Sequence, residues 1–161
     1  MNPRIDVSPD KDRWPDRAVV RQLARRLRRA ARAMGCDNEQ MSGLTLRIVG
    51  DEEMTALKEE HFGVAEATDI LSFPAGEAIP GEEESDPGLG ELVLNREAVR
   101  RQASQPGPQG WLDEATSLSI HGVAHLLGHD HRDRTGARRM RAAERRGHRA
   151  VGLACVRPYG A

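Results

Sequence analysis

Four of the six histidines in the chain lie within residues 121–131, which read HGVAHLLGHDH. His121 and His125 are four positions apart, so on a helix their side chains leave one face with Cβ atoms roughly 5–6 Å apart. Two imidazoles at that separation can bind one ion at the Zn–N distance of about 2.0–2.1 Å. Gly128 can adopt the left-handed conformation that ends a helix and turns the chain back. The spacing therefore predicts a metal site on this segment.

The third ligand is open between the two histidines that follow the glycine, His129 and His131. Asp130 could be a ligand, an acceptor that orients an imidazole, or a turn residue. Three neutral nitrogens would leave a fourth position on Zn²⁺ for water, which is typical of catalytic rather than structural sites. A histidine pair at this spacing also arises by chance, but the glycine and the further histidines directly after it favour metal binding. We expect one Zn²⁺ per chain and hydrolytic chemistry.

The elements that must position these histidines are those of a small α+β domain. Apolar residues recur at helical spacing over residues 16–34, 111–127 and 135–151, and shorter helices are expected after Asp51 and over 96–102. Residues 44–48, 68–74 and 90–95 have the character of strands, the second ended by a proline as at a sheet edge. This order predicts a single domain over residues 16–161, with a small mixed β-sheet backed by several helices.

Two segments are expected to lie outside these elements. Residues 1–15 are polar and contain prolines, which is typical of an N-terminal tail. Residues 75–89, AGEAIPGEEESDPGL, have the glycine, proline and acid content of a mobile loop. No apolar run approaches the length of a membrane span. Cys36 and Cys155 form no CxxC motif and no signal peptide is visible, so a cytoplasmic location is expected.

The charge of the chain is unevenly placed although its formal net charge is only −1. Seven arginines lie within residues 17–32 and eight within residues 132–149, whereas acidic residues concentrate in the middle of the chain. Arginine-rich helices of this kind can bind phosphates, and solvated helix faces are the equally simple alternative. Aromatic residues make up only 3% of the chain, which argues against binding of single strands on a platform of stacked rings.

The histidine segment resembles the HGxLHLxGYDH signature of the YbeY family of bacterial endoribonucleases. ATDILSFP is similar to the family's pTDVLSFP, and GELVLN to its GDIVIS. Met140 and Glu144 also fit a methionine and a glutamate that the family carries in its last helix. These blocks keep the family's order over roughly residues 44–146. The resemblance implies a single-domain, zincin-like fold.

The resemblance also implies the identity of the ligands and of the substrate. Zn²⁺ would be held by His121, His125 and His131, so His129 replaces a tyrosine of the family and joins Asp130 as a candidate neighbour of the ligand imidazoles. The implied role is the maturation of ribosomal RNA, chiefly at the small-subunit 3′ end, and ribosome quality control. Its partners would be ribosomal RNA and the ribosome or ribosomal proteins; the sequence does not predict an oligomeric state.

Two strand residues are candidates for catalysis on the same grounds. In zincin-like folds the strand that contains TDILSFP lies beside the metal, which places Asp69 and Ser72 at the cleft. Asp69 could orient water or a ligand imidazole. A hydrogen bond in the turn before the strand is the alternative role for its carboxylate. We expect His61 and His148 to be surface histidines.

Two positions depart from the patterns of related enzymes. Gly122 stands where HExxH proteases carry their general-base glutamate, which disfavours peptide hydrolysis. Phe62 stands where the YbeY family has an arginine in LNxxYRG, so a planar cation that could clamp phosphate is missing. Lys58, or Arg138 and Arg139 in the last helix, are the candidates for contacting RNA instead.

The leading hypothesis is therefore a zinc-dependent endoribonuclease that cuts single-stranded ribosomal RNA. One alternative is a ribosome-assembly or RNA-binding factor whose metal is mainly structural, which the missing arginine favours. Another is a metal-dependent hydrolase of small molecules or peptides, which Gly122 disfavours.

Overall fold

The computed structural model describes residues 2–10, 13–75 and 88–155, in which four strands form one mixed sheet. The strands are β1 (Arg4–Val7), β2 (Leu44–Val49), β3 (Ile70–Pro74) and β4 (Gly90–Asn95). Their order across the sheet is β1-β2-β4-β3; β1, β2 and β4 run parallel, and β3 is antiparallel to β4. The predicted α+β architecture with a small mixed sheet is confirmed, and β3 lies at an edge as its proline indicates.

Six helices in the described ranges surround this sheet. They are α1 (Arg17–Ala33), α2 (Asn38–Ser42), α3 (Asp51–Phe62), α4 (Arg96–Gln102), α5 (Gly107–Leu126) and α6 (Arg134–Ala150). Asp16 and Asp133 begin α1 and α6, because each carboxylate accepts a hydrogen bond from a backbone N–H of the first turn. α2 was not predicted: its five residues depend on a local capping box between Asp37 and Gln40 rather than on an apolar stripe.

The helices divide between the two faces of the sheet because successive strand residues point to opposite sides. On one face, Leu92 and Leu94 of β4 join the main core with α1, α5 and α6. On the other, Val93 packs with Leu71 of β3 and Met54 of α3. α5 is buried along most of its length, which fits a helix that is apolar on nearly all sides.

The N-terminal segment differs from the tail predicted over residues 1–15. Arg4–Val7 pairs in parallel with β2, and the N–H of Ser8 extends the pairing to the carbonyl of Ile48. The buried guanidinium of Arg96 then donates to the carbonyls of Ser8 and Pro9. The backbone supplies these bonds, and the side chains of β1 are exposed or half-buried. Ile5 and Val7 do alternate with Arg4 and Asp6, but a run of four residues is too short to indicate a strand by itself.

Most of the acidic loop predicted over residues 75–89 lies outside the described residues. At its ends, the N–H of Ala75 donates to the carbonyl of Leu89, and the N–H of Leu89 to the carbonyl of Gln40. No helix in the described ranges is long and apolar enough to span a membrane.

Candidate metal centre

Three histidines converge at the C-terminal end of α5. His121 and His125 lie in its last turns, and His131 follows the turn at Gly128. One ring nitrogen of each histidine lies within 4.8 Å of the others, and no other histidine, cysteine or carboxylate of the described residues joins this group. Gly128 has a φ of +90°, and its N–H donates to the carbonyl of His125. The left-handed turn therefore carries His131, the histidine that the family resemblance implies, back to the helix.

Glu144 of α6 orients the first of these imidazoles. Its Oε1 lies 2.6 Å from Nδ1 of His121, and both side chains are buried, the glutamate being only 2% exposed. A carboxylate in this position accepts the Nδ1–H, so Nε2 carries the lone pair that faces the other histidines. The sequence predicted Asp130 or His129 for this kind of role and did not assign it to Glu144. A usable signal was present, since Glu144 lies four residues after Met140 on the buried stripe of α6.

The second imidazole is held in its neutral form. Burial lowers the pKa of His125, and the nearby His121 and His131 lower it further, while a hydrogen bond to the backbone of His129 opposes the shift. A depressed pKa keeps His125 unprotonated at neutral pH, which is the state a metal ligand requires. His129 thus acts near the site through its backbone.

The donor set fits a metal ion of the zinc type. Nε2 of His121 lies 3.2 Å from Nε2 of His125. Two nitrogens on one tetrahedral ion at the usual Zn–N length lie about 3.3 Å apart. Imidazoles with no carboxylate among them suit transition metals rather than Ca²⁺ or Mg²⁺. The residues present could therefore hold a metal, and His131 completes a set of three.

Gly122 is required by the packing of the metal helix. A Cβ at this position would lie 2.7 Å from Cδ2 of Leu92 and 2.9 Å from Cδ1 of Ile70. The position therefore faces the sheet, and the glutamate that HExxH proteases carry there would have no space. This geometry adds to the sequence argument against a protease.

The strand candidates occupy different positions relative to the histidines. Oγ of Ser72 lies 3.4 Å from the carbonyl oxygen of Gly122, so this hydroxyl contacts the backbone beside His121. The carboxylate of Asp69 accepts from the N–H of Ile70 and, at 3.3 Å, from Nε2 of Gln102. Asp69 thus makes the turn contact that was the alternative for it, and it is not part of the histidine group.

Asp130 and His148 have structural contacts. Oδ1 of Asp130 accepts from the N–H of Arg132, as a turn residue does. His148 is 3% exposed, so the expectation of a surface histidine is wrong. Its Nδ1 bonds to the carbonyl of Glu144 and its Nε2 to Oγ of Ser117, which ties α6 to α5. His61 is exposed, as predicted.

A basic groove of about 990 Å³ opens beside His131. Its lining includes five arginines, namely Arg132, Arg134, Arg138, Arg141 and Arg145. The single carboxylate in the lining, Asp133, is already used to cap α6. Arg138 therefore lines the groove together with His131. Arg139 is exposed and does not belong to this lining. Lys58 lies on α3, with its Nζ 5.1 Å from the ring centre of Phe62. We call the groove formed by these five arginines and His131 the arginine groove.

Comparison with known proteins places the chain among relatives of one kind. The family model described as Endoribonuclease YbeY matches residues 5–152. A curated Endoribonuclease YbeY of Thermus thermophilus is 38% identical over 133 residues, covering 81% of this chain and 91% of that protein. Another, of Allorhizobium ampelinum, is 32% identical over 160 residues, covering 96% and 93%.

A solved structure shows the same fold. The solution structure of TM1509 from Thermotoga maritima matches with a TM-score of 0.51 over 92% of this chain and 91% of that chain, at 18% identity. The residues matched by the family model include all three histidines and Glu144. The protein is thus a hydrolytic enzyme of the nuclease type, and the chain belongs to the endoribonuclease YbeY family.

Proposed function

We propose that the protein is a Zn²⁺-dependent endoribonuclease that cuts single-stranded ribosomal RNA, chiefly in maturation of the small-subunit 3′ end and in ribosome quality control. One observation carries this proposal: a ring nitrogen of each of His121, His125 and His131 lies within 4.8 Å of the others, and His131 also lines the arginine groove. A metal site and a phosphate-binding surface then lie side by side. The family supplies the substrate class.

The histidines would hold the ion, and the surrounding residues would keep them ready for it. Glu144 retains the proton on Nδ1 of His121 and so directs Nε2 toward the neighbouring rings. The lowered pKa of His125 keeps that ligand neutral. When bound, Zn²⁺ acts as a Lewis acid and activates water near neutral pH.

The arginines would bind and position the RNA backbone. A guanidinium can donate two parallel hydrogen bonds to one phosphate and stays charged at every physiological pH. None of the five groove arginines forms an ion pair with a carboxylate in the described part of the chain. Of the three residues predicted from the sequence to contact RNA, Arg138 is the leading candidate because it lines the groove. Arg139 and Lys58 are further candidates that lie outside its lining.

Ser72 and Asp69 remain candidates for positioning water or substrate. The contact of Ser72 with the backbone of Gly122 supports a place for this hydroxyl near the site. The two hydrogen bonds of Asp69 support an anchoring role at the start of β3. We propose Ser72 as the better of the two.

The proposed partners are the ribosome and ribosomal proteins, in the cytoplasm. Free thiols support a reducing compartment, because Cys36 and Cys155 are both unpaired. Burial, with a smaller effect of Asp37, raises the pKa of Cys36 to about 11, so this thiol is poorly reactive. We extend the proposed hydrolase domain, given as residues 16–161 from the sequence, to include β1.

A cleavage assay on RNA from the small-subunit 3′ region tests the proposal. Wild-type protein is expected to cut the single-stranded form and to leave a duplex of the same sequence intact. His121→Ala should abolish cutting, whereas the control Arg29→Ala, at an exposed residue of α1, should not. Equal cutting by wild type and His121→Ala would overturn the proposal.

Phe62 favours a second candidate, a ribosome-assembly factor that binds RNA around a mainly structural metal. This side chain is 52% exposed and replaces the arginine of the family motif. The second candidate predicts ribosome binding that survives His121→Ala in a folded variant, with no cleavage by wild type. A gain of cleavage in Phe62→Arg would show instead that the missing charge limits catalysis.

A further inference from the structure

Both phenylalanines of the chain lie in one cluster on the face of the sheet opposite the metal helix. Phe62 ends α3 and Phe73 belongs to β3; their ring centres are 6.2 Å apart with planes tilted by 33°. His61 adds a third ring 5.0 Å from Phe73. An aromatic cluster thus forms at the outer strand, although aromatic residues are scarce in the chain as a whole.

Phe62 does not serve the core of the protein. It is 52% exposed, and Val64 beside it is 47% exposed. The contribution of α3 to the core comes from Met54, with Leu57 packed beside it. The exposed ring and the second exposed apolar residue beside it form a small apolar surface that a ligand can cover.

The charges around Phe62 indicate what kind of group it would contact. Nζ of Lys58, one helical turn earlier, lies 5.1 Å from the ring centre of Phe62. Glu59 and Glu60 are exposed on the same helix and would oppose a dense row of phosphates. The local surface is thus one ring with one cation in a setting of mixed charge. This surface suits one nucleotide, because its flat, neutral base can stack on the ring while its phosphate reaches the single lysine.

The position of the cluster connects it to the metal centre. Phe73 precedes the end of β3, and the adjacent Ser72 reaches the backbone of Gly122 beside His121. β3 is one of the two edge strands of the described sheet, so a chain passing over that edge meets the cluster on one side and α5 on the other. One nucleotide held at Phe62 would therefore lie across β3 from α5, the helix that carries His121 and His125.

We propose that Phe62 and Lys58 form a stacking site for one unpaired nucleobase of single-stranded RNA. The proposal rests on the proposed function, because it assumes an RNA substrate, and it adds a positioning residue outside the metal centre. Stacking requires an unpaired base, so the site would contribute to discrimination against duplex RNA.

The test measures binding of a short single-stranded oligoribonucleotide that carries one 2-aminopurine, whose fluorescence falls on stacking. Phe62→Leu keeps an apolar side chain and removes the ring, and we expect it to weaken binding about tenfold and to abolish the quenching. Phe62→Trp should retain both. In cleavage assays Phe62→Leu should raise KM with little change in kcat.

Val64→Ala is the matched control, because it shortens a similarly exposed apolar side chain two positions away and leaves the Phe62 ring in place. It should change affinity less than twofold. Replacing the probed base by an abasic site should lower the affinity of wild type for the RNA. The same replacement should not change the affinity of Phe62→Leu. Thermal melting of each variant shows whether it is folded; both side chains are exposed, so little loss is expected.

Equal affinity of wild type and Phe62→Leu would overturn the stacking site while leaving the proposed function intact. Equal losses of RNA affinity in Phe62→Leu and Val64→Ala would also overturn it, because a general apolar contact rather than ring stacking would then account for the binding. If wild type bound and cut no single-stranded RNA, the proposed function itself would fail, and the stacking site with it.

Discussion

The metal centre has a buried half and an exposed half, and the two halves depend on different physical effects. His121 is 7% exposed and is hydrogen-bonded to the buried Glu144, whereas His131 is exposed at the mouth of the arginine groove. The buried half is rigid because helix packing and a carboxylate fix the imidazole. The exposed half is open to solvent and charged, as a surface that meets a polyanion must be.

Affinity for the metal and affinity for RNA should therefore be separable in this protein. Changes in the buried half should act on zinc affinity first, and changes in the arginine groove should act on RNA affinity first.

Removing a ligand from the buried half should have the largest effect. His121→Ala should lower zinc affinity by more than about 100-fold, and His131→Ala by less, because the exposed ligand is less constrained. Isothermal titration of chelator-treated protein with zinc measures both variants. If His131→Ala loses more affinity than His121→Ala, the comparison of buried and exposed halves is wrong.

Glu144→Gln should weaken zinc binding by about 10–100-fold. The amide can still accept the hydrogen bond from Nδ1 of His121, so the loss isolates the charge of the carboxylate. Asp130→Asn is the control, since the Asp130 side chain contacts a backbone N–H in the turn and we expect near wild-type affinity. The same zinc titration measures both variants. An unchanged zinc affinity in Glu144→Gln would contradict the role assigned to this residue.

Arg138→Ala and Arg141→Ala should each weaken RNA binding several-fold and leave zinc content unchanged. Each lost phosphate contact should reduce the slope of log affinity against log salt by about 0.7 for a single strand. Arg29→Ala provides the control from the other arginine-rich helix, α1, where that side chain is exposed. An equal loss of slope in all three variants would mean that general charge, rather than the arginine groove, binds the RNA.

A smaller effect is expected on how the stability of the metal-free protein depends on pH. The pKa of His125 is lowered in the folded state, chiefly by burial, so the unfolded chain takes up the proton at higher pH than the folded one. Its contribution to stability is therefore complete above about pH 6.5. The contribution should decline as pH falls from there through the lowered pKa.

Thermal melting of chelator-treated protein between pH 5 and 8 measures this decline. His125→Asn should melt with a flatter pH dependence than wild type. A wild-type melting temperature that rises toward acid pH would contradict the direction of the shift.

The sequence predicted the parts of the molecule that depend on local spacing. His121, His125 and the turn at Gly128 follow from helix geometry alone, and His131 was selected by the family resemblance. The helices with clear apolar stripes and the edge position of β3 were predicted for the same local reason. The arginine groove was anticipated only in part: Arg138 lines it and Arg139 does not.

The features that were missed depend on contacts between distant segments. The carboxylate of Glu144 reaches His121 across 23 positions, and the ring of His148 bonds to Ser117 across 31. β1 is formed by backbone pairing with β2, and its alternation of Ile5 and Val7 spans only four residues. Local spacing places Glu144 on the buried stripe of α6, but it does not record which distant group any of these residues contacts.

Titrating zinc into chelator-treated protein, while bound metal and cleavage of single-stranded RNA are followed in the same sample, tests whether the histidine site drives the cleavage. We expect no cleavage without metal, and a rise with bound zinc that levels off at about one ion per chain. Full cleavage by the metal-free protein, or full zinc occupancy with no cleavage, would contradict a zinc-dependent nuclease.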